Sequence, residues 1–366
     1  MIGCSYSGMR AALSRRTYPE TFFAAYASSA PVEARVNFST FFDQVYRGIE
    51  EYGYGNCSVD LHNVSSYIDL QLISGNDAAS DIKELFLGSG LGARDTSNGD
   101  FALALAFTFR AFQSRGMGSG DSKDFGPVSL AALCDYLETD PQTQSPAPGP
   151  GLASVRGDRS MTERFASWPP LLKSINRDFK TNCGILDDSL PASCDLEQPR
   201  ESDPAIIAWS WLLCSEWGFF TGNNPGPHSI VSMYLNPEYH QKLCYSQFPG
   251  AEQTGDLPRS PRAEQFTMET GGQGMRPSNT FWTAGEYDPW RELTPLSTSN
   301  LATDPSMAAT EAPECNTQTK DKNIFGYVIP KSVHCADFTA SSAQGKHVRS
   351  YFVQALKKWL RCYHTE

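Results

Sequence analysis

Apolar and polar residues alternate with different periods in different parts of the chain. Near the start, an amphipathic stretch from Met9 to Tyr18 predicts a helix, and the apolar run Phe22 to Ser28 predicts a buried strand. Near the end, two β-prone runs, Asn279 to Ala284 and Asn323 to Ile329, predict two further strands. An amphipathic stretch from Gly345 to Tyr363 predicts a closing helix.

The middle of the chain is helical by the same criterion. Helical periodicity recurs in five stretches, which are Phe38 to Tyr54, Asn63 to Leu87, 101–115, Pro127 to Leu137 and Ala205 to Glu216. Polar segments rich in turn-forming residues predict loops at 140–151, Gly250 to Arg262 and 294–319. Strands that flank a long helical middle predict an α/β fold in which a helical segment is inserted into a sheet.

The length and charge of the chain limit what it can be. Its 366 residues exceed what one compact core usually absorbs, which agrees with an inserted second domain. We therefore predict a first core part at 1–40, a helical cap at 41–275 and a second core part at 276–366. The net charge of −11 disfavours nucleic acid and anionic membranes as partners. No segment of the sequence is long and apolar enough to span a bilayer.

The cysteines and sequons favour an oxidising compartment. The ten cysteines are scattered without paired CxxC groups, which favours disulfides over a zinc site. Three N-x-S/T sequons, at Asn37, Asn56 and Asn63, predict glycosylation. The chain nevertheless begins MIGCSYSG, without a signal peptide. We therefore expect a full-length protein that is secreted or lysosome/vacuole-like, of which this chain lacks the N-terminus.

The first candidate for chemistry is Gly3-Cys4-Ser5-Tyr6-Ser7-Gly8, which lies just before a predicted helix. A nucleophile elbow places a serine on a tight strand-to-helix turn with small residues two before and two after it, and Gly3 and Ser7 meet that demand. Such a turn aims the backbone N–H of Tyr6 at a developing oxyanion. The strict pattern has glycine where Ser7 stands, so an ordinary loop is the alternative for Ser5.

The second and third candidates follow the two late strands. Gly285-Glu286-Tyr287-Asp288-Pro289-Trp290 comes after the first of them and offers Asp288 as the acid of a triad, with Glu286 as the competing acid. His334 comes after the second of them and before the final helix, where a general base would reach the serine. Asp288 as a turn cap and His334 as a surface histidine are the alternatives for each residue alone. The order Ser5, Asp288, His334 is that of α/β-hydrolases.

Several blocks together resemble the serine peptidases of family S28, which include lysosomal Pro-X carboxypeptidase, dipeptidyl peptidase II and fungal prolyl peptidases. The blocks, which span nearly the whole chain, are GCSYSG at 3–8, YASSAPV at 26–32, YGNCS at 54–58, WSWLLCSEWGFF at 209–220, GEYDPW at 285–290, HCAD at 334–337 and the terminal VRSYFVQALKKWL. The resemblance implies an α/β-hydrolase domain with a helical cap of the SKS type. It implies cleavage after proline, mostly at chain ends and often at acidic pH.

Carried over to this sequence, the resemblance implies Ser5 as nucleophile, Asp288 as acid and His334 as base. It makes the cap aromatics candidates for a proline pocket, with core packing as the alternative for at least two of them: Trp209, Trp211, Trp217 and Phe219. Glu216 would hold a charged substrate end or form a buried pair. The family pattern suggests the disulfides Cys57–Cys134 and Cys214–Cys244. Proximity in sequence suggests Cys183–Cys194 and Cys315–Cys335, which leaves Cys4 and Cys362 over.

The sequence also departs from the family. Cys4 stands where the family usually has glycine, and Ala284 stands where asparagine commonly precedes Gly285.

The expected partners are proline-containing peptides or proteins, a homodimer is one option, and no cofactor or metal is expected. The competing hypotheses are a non-catalytic remnant or secreted binding protein, and a serine carboxypeptidase of the sister family, whose elbow usually reads G-E-S-Y-A-G.

Overall fold

The computed structural model describes residues 1–118, 129–197, 200–319 and 322–363. The chain divides into two compact units. The unit that we call the sheet unit consists of Met1–Val36, Leu212–Phe219 and Ser260–Glu366, and the unit that we call the helical unit consists of Asn37–Trp211 and Phe220–Arg259. The fold is therefore mixed α/β, with its strands gathered near the two ends of the chain.

A parallel sheet of five strands forms the centre of the sheet unit, in the order β1-β2-β5-β7-β6. The strands are β1 (Ile2–Cys4), β2 (Ala25–Ser28), β5 (Thr280–Gly285), β6 (Met307–Ala309) and β7 (Asn323–Ile329). Every residue of β2 and β5 is buried, as expected for inner strands of a parallel sheet covered on both faces. The carboxyl ends of β1, β5 and β7 lead into the three candidate segments.

Three helices of eight or more residues accompany this sheet, namely α1 (Tyr6–Thr17), α14 (Ala263–Thr270) and α15 (Ala343–Trp359). Helix α15 packs its apolar face on the sheet through an aromatic core. Tyr26 stacks on Phe281 with ring centroids 5.3 Å apart, and Phe325 meets Phe281 at 4.6 Å and Trp359 at 5.7 Å. Burying aromatic side chains of this size provides a large share of a domain's hydrophobic stabilisation.

Most ranges predicted from sequence agree with the structure to within a few residues, but several differ. The helical stretch predicted from Asn63 to Leu87 is two helices, Gly55–Ile73 and Asn76–Leu87, the first of which begins eight residues before the predicted start. The predicted loop 294–319 contains the edge strand β6, whose three residues carry no strong β signal. The predicted loop Gly250 to Arg262 contains a short helix, α13 (Ala251–Thr254). Residues 260–275, which we grouped with the helical cap, belong to the sheet unit.

The reason for the last difference is a set of hydrogen bonds around α14. The backbone N–H of Ala34 donates to Thr267 Oγ1 at 3.0 Å, and the buried Gln273 donates to the backbone oxygen of Glu292 at 2.9 Å. Helical periodicity records only that α14 forms, so it cannot tell which unit the helix packs against.

The helical unit is built from short helices around a phenylalanine-rich core. They are α2 (Thr40–Ile49), α3 (Gly55–Ile73), α4 (Asn76–Leu87), α5 (Asn98–Arg110), α6 (Phe112–Arg115), α7 (Leu130–Glu138), α8 (Ala153–Arg156), α9 (Asp158–Ala166), α10 (Pro169–Phe179), α12 (Pro237–Gln247) and α13, with α11 (Pro204–Leu212) running to the edge of the unit. Pro127, where we began one predicted helix, lies outside the described residues. Phe86 contacts both Phe101 and Phe165 with ring centroids 5.7 Å apart.

Two short strands, β3 (Arg35–Asn37) and β4 (Gly218–Phe220), form a second sheet of two strands where the chain passes between the units. Gly218 adopts φ 72°, and a Cβ atom at this position would lie 2.4 Å from the Cα atom of Val36. Glycine is therefore required for this close approach. Within the described ranges, none of the helices has the length and apolar character needed to cross a membrane.

Disulfides join Cys57 to Cys134, Cys183 to Cys194, Cys4 to Cys335 and Cys315 to Cys362. Cys214 and Cys244 are also disulfide-bonded, and no described cysteine is free. The pairing Cys315–Cys335, expected from proximity in sequence, is therefore wrong, and Cys4 and Cys362 are not left over. Proximity along the chain failed here because the fold brings Cys4 and Cys335 together across 331 residues.

Candidate active site

Ser5 lies on the turn between β1 and α1, with φ 59° and ψ −130°. A non-glycine residue reaches this region of backbone space only when its surroundings force it there, at a cost of about 1–3 kcal/mol. The turn is held by a hydrogen bond from the Ser5 N–H to the backbone oxygen of Ser28 at 2.9 Å, and by one from the Met9 N–H to the Ser5 oxygen at 3.0 Å. The backbone of Ser5 thus has the sharp, strained form of a nucleophile elbow.

Two glycines make this turn possible. A Cβ atom on Gly3 would lie 2.2 Å from the backbone oxygen of Ser7, and one on Gly8 would lie 2.7 Å from the backbone oxygen of Ser28. Ser7 itself is exposed. The position that must lack a side chain after the serine is therefore Gly8 rather than Ser7, so the departure of Ser7 from the strict elbow pattern costs the turn nothing.

Tyr6 is the first residue of α1, so its backbone N–H belongs to the positive end of the helix dipole. Its ring packs against Trp217 with centroids 5.4 Å apart. The guanidinium of Arg10, one turn further along the helix, donates to the Tyr6 hydroxyl at 3.3 Å. The ring of Tyr6 is thereby held beside the turn that carries Ser5.

Asp288 lies in the loop after β5 and is completely buried. Its Oδ1 atom accepts the backbone N–H of Trp290 at 2.9 Å, which caps the short 3-10 helix Pro289–Leu293. The side chain therefore also serves as a turn cap, which we had considered as the alternative to an acid. The same carboxylate also contacts His334, so the turn cap does not exclude a second role for it.

His334 faces this carboxylate. Its Nδ1 atom lies 2.9 Å from Asp288 Oδ1 and 3.1 Å from Oδ2. Because a carboxylate only accepts hydrogen bonds, the proton sits on Nδ1 and the other ring nitrogen, Nε2, is left as the basic atom. The His334 side chain is 12% exposed, so the pair is shielded from bulk water.

The loops that carry Asp288 and His334 run side by side. The Glu286 N–H donates to the backbone oxygen of Ile329, and the Tyr287 N–H donates to that of Ser332, both at 2.9 Å. A Cβ atom on Gly285 would lie 2.4 Å from the backbone oxygen of Val333, so the approach requires glycine. Glu286, the competing acid, accepts the N–H of Lys331 at 2.9 Å and is not the carboxylate hydrogen-bonded to His334.

Two features of the His334 loop escaped the sequence analysis. Cys335 is joined to Cys4, so the disulfide links the residue before Ser5 to the residue after His334. Asp337, two residues further on, is fully buried and accepts hydrogen bonds from the hydroxyls of Tyr26, of Ser28 at 2.6 Å and of Thr283 at 2.7 Å. Each cysteine flanks a candidate residue in sequence, but nothing in the sequence indicates that these two cysteines are partners.

Of the four aromatic candidates, the sheet unit contains Trp217 and Phe219, which are buried and lie 5.9 Å apart. Phe219 meets Trp290 edge-on at 5.4 Å, and Trp290 lies 6.2 Å from the His334 ring. Trp290 was missed as a candidate although it directly follows Asp288-Pro289. Trp217, Phe219 and Trp290, which we call the aromatic wall, thus form a continuous series of ring contacts that ends at His334.

The other candidates have different surroundings. Trp209 and Trp211 belong to the helical unit, where Trp211 packs edge-on against Phe248 at 5.1 Å. Glu216 forms an ion pair with Arg262 in which both side chains are partly exposed, so the pair is not a buried one. Such a pair in solvent contributes little to stability.

The sequon asparagines differ in exposure. Asn37 is exposed at the end of β3, whereas Asn56 and Asn63 lie half-buried in α3.

In the described ranges, one group of residues has the proximity needed for a metal ion, Cys4, His334 and Cys335, and its two sulfurs are bonded to each other. The sulfurs are therefore not available as thiolate ligands.

Comparisons with known proteins agree with this picture. The profile of the family described as serine carboxypeptidase S28 matches residues 1–315. The serine protease vicPb of Bipolaris victoriae is 22% identical, over 100% of this chain and 65% of the relative. A probable extracellular serine carboxypeptidase of Arthroderma benhamiae is 23% identical over 91% of this chain and 44% of its own, and the thymus-specific serine protease of Mus musculus is 23% identical over 98% and 63%.

A strained serine at a strand-to-helix turn, together with a histidine bound to a buried carboxylate, is the arrangement found in serine hydrolases. The family profile covers most of the chain. The chain belongs to the serine carboxypeptidase S28 family. It spans less than two thirds of the length of each of the three relatives described above.

Proposed function

We propose that this chain carries the active site of a serine-type peptidase, with Ser5 as nucleophile, His334 as general base and Asp288 as the acid that orients the base. The observation that supports this most strongly is the contact between His334 Nδ1 and the fully buried Asp288 carboxylate. It fixes the tautomer that leaves Nε2 able to take a proton from a serine hydroxyl.

The proposed reaction proceeds in two halves. Ser5 Oγ attacks the carbonyl carbon of the scissile peptide while its proton passes to His334 Nε2, and the Tyr6 N–H stabilises the oxyanion that forms. The C–N bond then breaks as His334 returns this proton to the leaving amine. In the second half, water takes the place of the amine and attacks the acyl carbon while one of its protons passes to His334 Nε2. The bond between the acyl carbon and Ser5 Oγ then breaks as His334 returns this proton to Ser5 Oγ, which releases the acid.

We further propose that the sheet unit is the core of an α/β-hydrolase fold and that the helical unit is its SKS-type cap. The parallel order of strands, the strand-to-helix turn at Ser5 and the site loops after β5 and β7 support the first assignment. The helical content of 37–211 and 220–259 supports the second.

For the substrate we propose peptides that are cleaved after proline, by exopeptidase action. Tyr6, Trp217, Phe219 and Trp290 form a series of ring contacts that ends at His334, and aromatic surfaces of this kind suit the flat, apolar pyrrolidine ring. The family description and the Arthroderma relative's name both contain the word carboxypeptidase. The disulfides and that relative's description as extracellular support secretion or a lysosome-like compartment.

A fluorophosphonate probe, read by mass spectrometry of the labelled peptide, tests the proposal on the purified chain. We expect labelling at Ser5 in the parent and in Ser7→Ala, which removes an adjacent exposed hydroxyl, and none in Ser5→Ala. Peptides that differ only in proline or alanine before the scissile bond, each with a free or amidated C-terminus, then test substrate and mode. A folded parent chain that is not labelled at Ser5 would favour the non-catalytic alternative.

A further inference from the structure

The disulfide between Cys4 and Cys335 connects the two residues that directly flank Ser5 and His334. We propose that this disulfide is a positioning crosslink that holds the histidine over the serine, and that opening it lowers turnover. The proposal rests on the function proposed above. It gives Cys4 and Cys335 a role in the reaction without requiring either to touch the substrate.

On the nucleophile side, the crosslink starts at the last residue of β1, next to the turn that carries Ser5. Strand β1 has three residues, Ile2–Cys4, and lies at the edge of the described sheet, where it pairs with β2. A covalent bond at Cys4 fixes the end of the strand where the turn begins.

The other end of the crosslink lies in the loop that carries His334, whose backbone is strained. Lys331 and Cys335 adopt φ 49° and φ 59°, so non-glycine residues in the left-handed region lie on both sides of His334. Besides the disulfide, the Cys335 N–H donates to Ser29 Oγ at 3.0 Å. The ligand atoms of Cys4, Cys335 and His334 all lie within 4.8 Å of one another. The crosslink is therefore placed directly beside the imidazole, where a shift of the loop would move it.

Proton transfer between a serine and a histidine depends on hydrogen-bond geometry, and a misplacement of about 1 Å can cost on the order of 100-fold in rate. A crosslink between flanking residues limits such displacements without altering the chemistry. Removal of the bond should therefore lower kcat and leave KM nearly unchanged, because the aromatic wall that would contact the substrate is built from other residues.

The test compares two double variants that each remove one disulfide from the sheet unit. Cys4→Ser/Cys335→Ser opens the proposed crosslink, and Cys315→Ser/Cys362→Ser opens the other. We expect the first to lower kcat for a prolyl peptide about 10- to 100-fold and the second to keep it within about twofold. A second readout, independent of activity, is the downfield Nδ1 proton of His334 by NMR, which should broaden or disappear in the first variant alone.

A measurement on the parent chain covers the case in which the first variant does not fold. A water-soluble phosphine reduces disulfides, taking an oxygen atom from water as two thiols form, and peptide mapping reports which bond has opened. We expect activity and the Nδ1 proton signal to decline together with the Cys4–Cys335 bond, and to return on reoxidation.

The outcomes separate the two proposals. If the parent is active and opening Cys4–Cys335 changes neither kcat nor the Nδ1 signal relative to the control pair, the positioning role is wrong and the peptidase assignment stands. If the parent does not react at Ser5 but the Nδ1 signal still follows the disulfide, the positioning of His334 is supported and the peptidase assignment fails.

Discussion

The carboxylate of Asp288 accepts the backbone N–H of Trp290 at 2.9 Å, two residues further along the chain. The loop after β5 therefore holds its own acidic side chain in place, independently of His334. An orienting acid that is already fixed by its own turn loses little freedom when it binds an imidazole, which favours a single geometry for the pair. The same hydrogen bond fixes the backbone of Trp290, whose ring lies 6.2 Å from the His334 ring.

Replacing this acid should affect rate far more than binding. In Asp288→Asn the amide keeps the size of the side chain but stabilises the wrong tautomer of His334, so we expect kcat to fall by about 10⁴ with KM little changed. Glu286→Gln is the matched control, since Glu286 accepts Lys331 and not His334. Steady-state kinetics on a prolyl peptide would measure both. Comparable losses in the two variants would contradict the assignment of Asp288.

The turn at Ser5 should not accept a side chain on Gly3. In Gly3→Ala the new methyl group meets the Ser7 backbone oxygen at 2.2 Å, and the helix would have to move. We expect a loss of about 2–3 kcal/mol in the free energy of unfolding, measured with urea. Gly55→Ala at the start of α3, where the nearest atom would be 3.8 Å away, should change stability by less than about 1 kcal/mol. Equal effects would disprove the close approach.

Asp337 should be a major stabilising residue of the sheet unit. Asp337→Asn places an amide N–H₂ among hydroxyls that now donate to the carboxylate, so at least one donor loses its acceptor. We expect about 3 kcal/mol of destabilisation in urea unfolding. Thr283→Val removes one donor and leaves the others, and it should cost about 1.5 kcal/mol. A smaller effect for Asp337→Asn than for Thr283→Val would show that the carboxylate is not the centre of this network.

The helical unit should become more stable as the pH falls from 8 towards 6.5. Burial and the neighbouring Asp60 raise the pKa of Glu138 from 4.5 to about 8, so the folded state keeps a proton that the unfolded chain releases above pH 4.5. The resulting stabilisation is complete below pH 4.5 and is lost as the pH rises through 8. We expect about 1–2 kcal/mol between pH 8 and 6.5, reduced by solvent screening of the half-buried site.

His240 works in the opposite direction at lower pH. Burial lowers its pKa to about 4, so the unfolded chain takes up a proton below pH 6.5 that the folded state refuses. Between pH 6.5 and 4.5 this loss opposes the gain from Glu138, so unfolding curves at pH 4.5, 6 and 8 should show a rise in stability from pH 8 to 6 and little further change from pH 6 to 4.5. Glu138→Gln should remove the increase between pH 8 and 6 and expose the decline below pH 6 that His240 causes. An unchanged pH profile in this variant would contradict the role of Glu138.

The strands and helices were largely predictable because burial and periodicity act locally. The strand Asn323 to Ile329 has the predicted bounds, since an apolar run between turns has few other options. Strand β6 was not predictable, because Met307–Ala309 is a strand only through pairing with β7. The same limit applies to Gly8, whose need for glycine depends on the Ser28 backbone oxygen from a different strand.

Which residues meet at the site could be predicted from sequence only for residues that directly follow a predicted strand. Asp288 and His334 each follow a strand, and parallel strands end at one edge of a sheet, so their meeting could be anticipated. The partner of Cys335 could not, because Cys315 is closer in sequence and only the folded chain brings Cys4 nearer. Trp290 was overlooked because nothing in the sequence shows whether a tryptophan after Asp-Pro lies beside the site or only packs in the protein core.

The bond between Cys4 and Cys335 also closes the covalent chain into a ring of almost its full length, since 331 residues separate the two cysteines. All four points at which the chain passes between the two units lie inside that ring. A protease that cuts the exposed loop at 140–151 would therefore produce two pieces that remain one molecule, and gel electrophoresis would reveal the cut only after reduction. A single cut within the helical unit therefore leaves both pieces covalently joined through the Cys4–Cys335 bond.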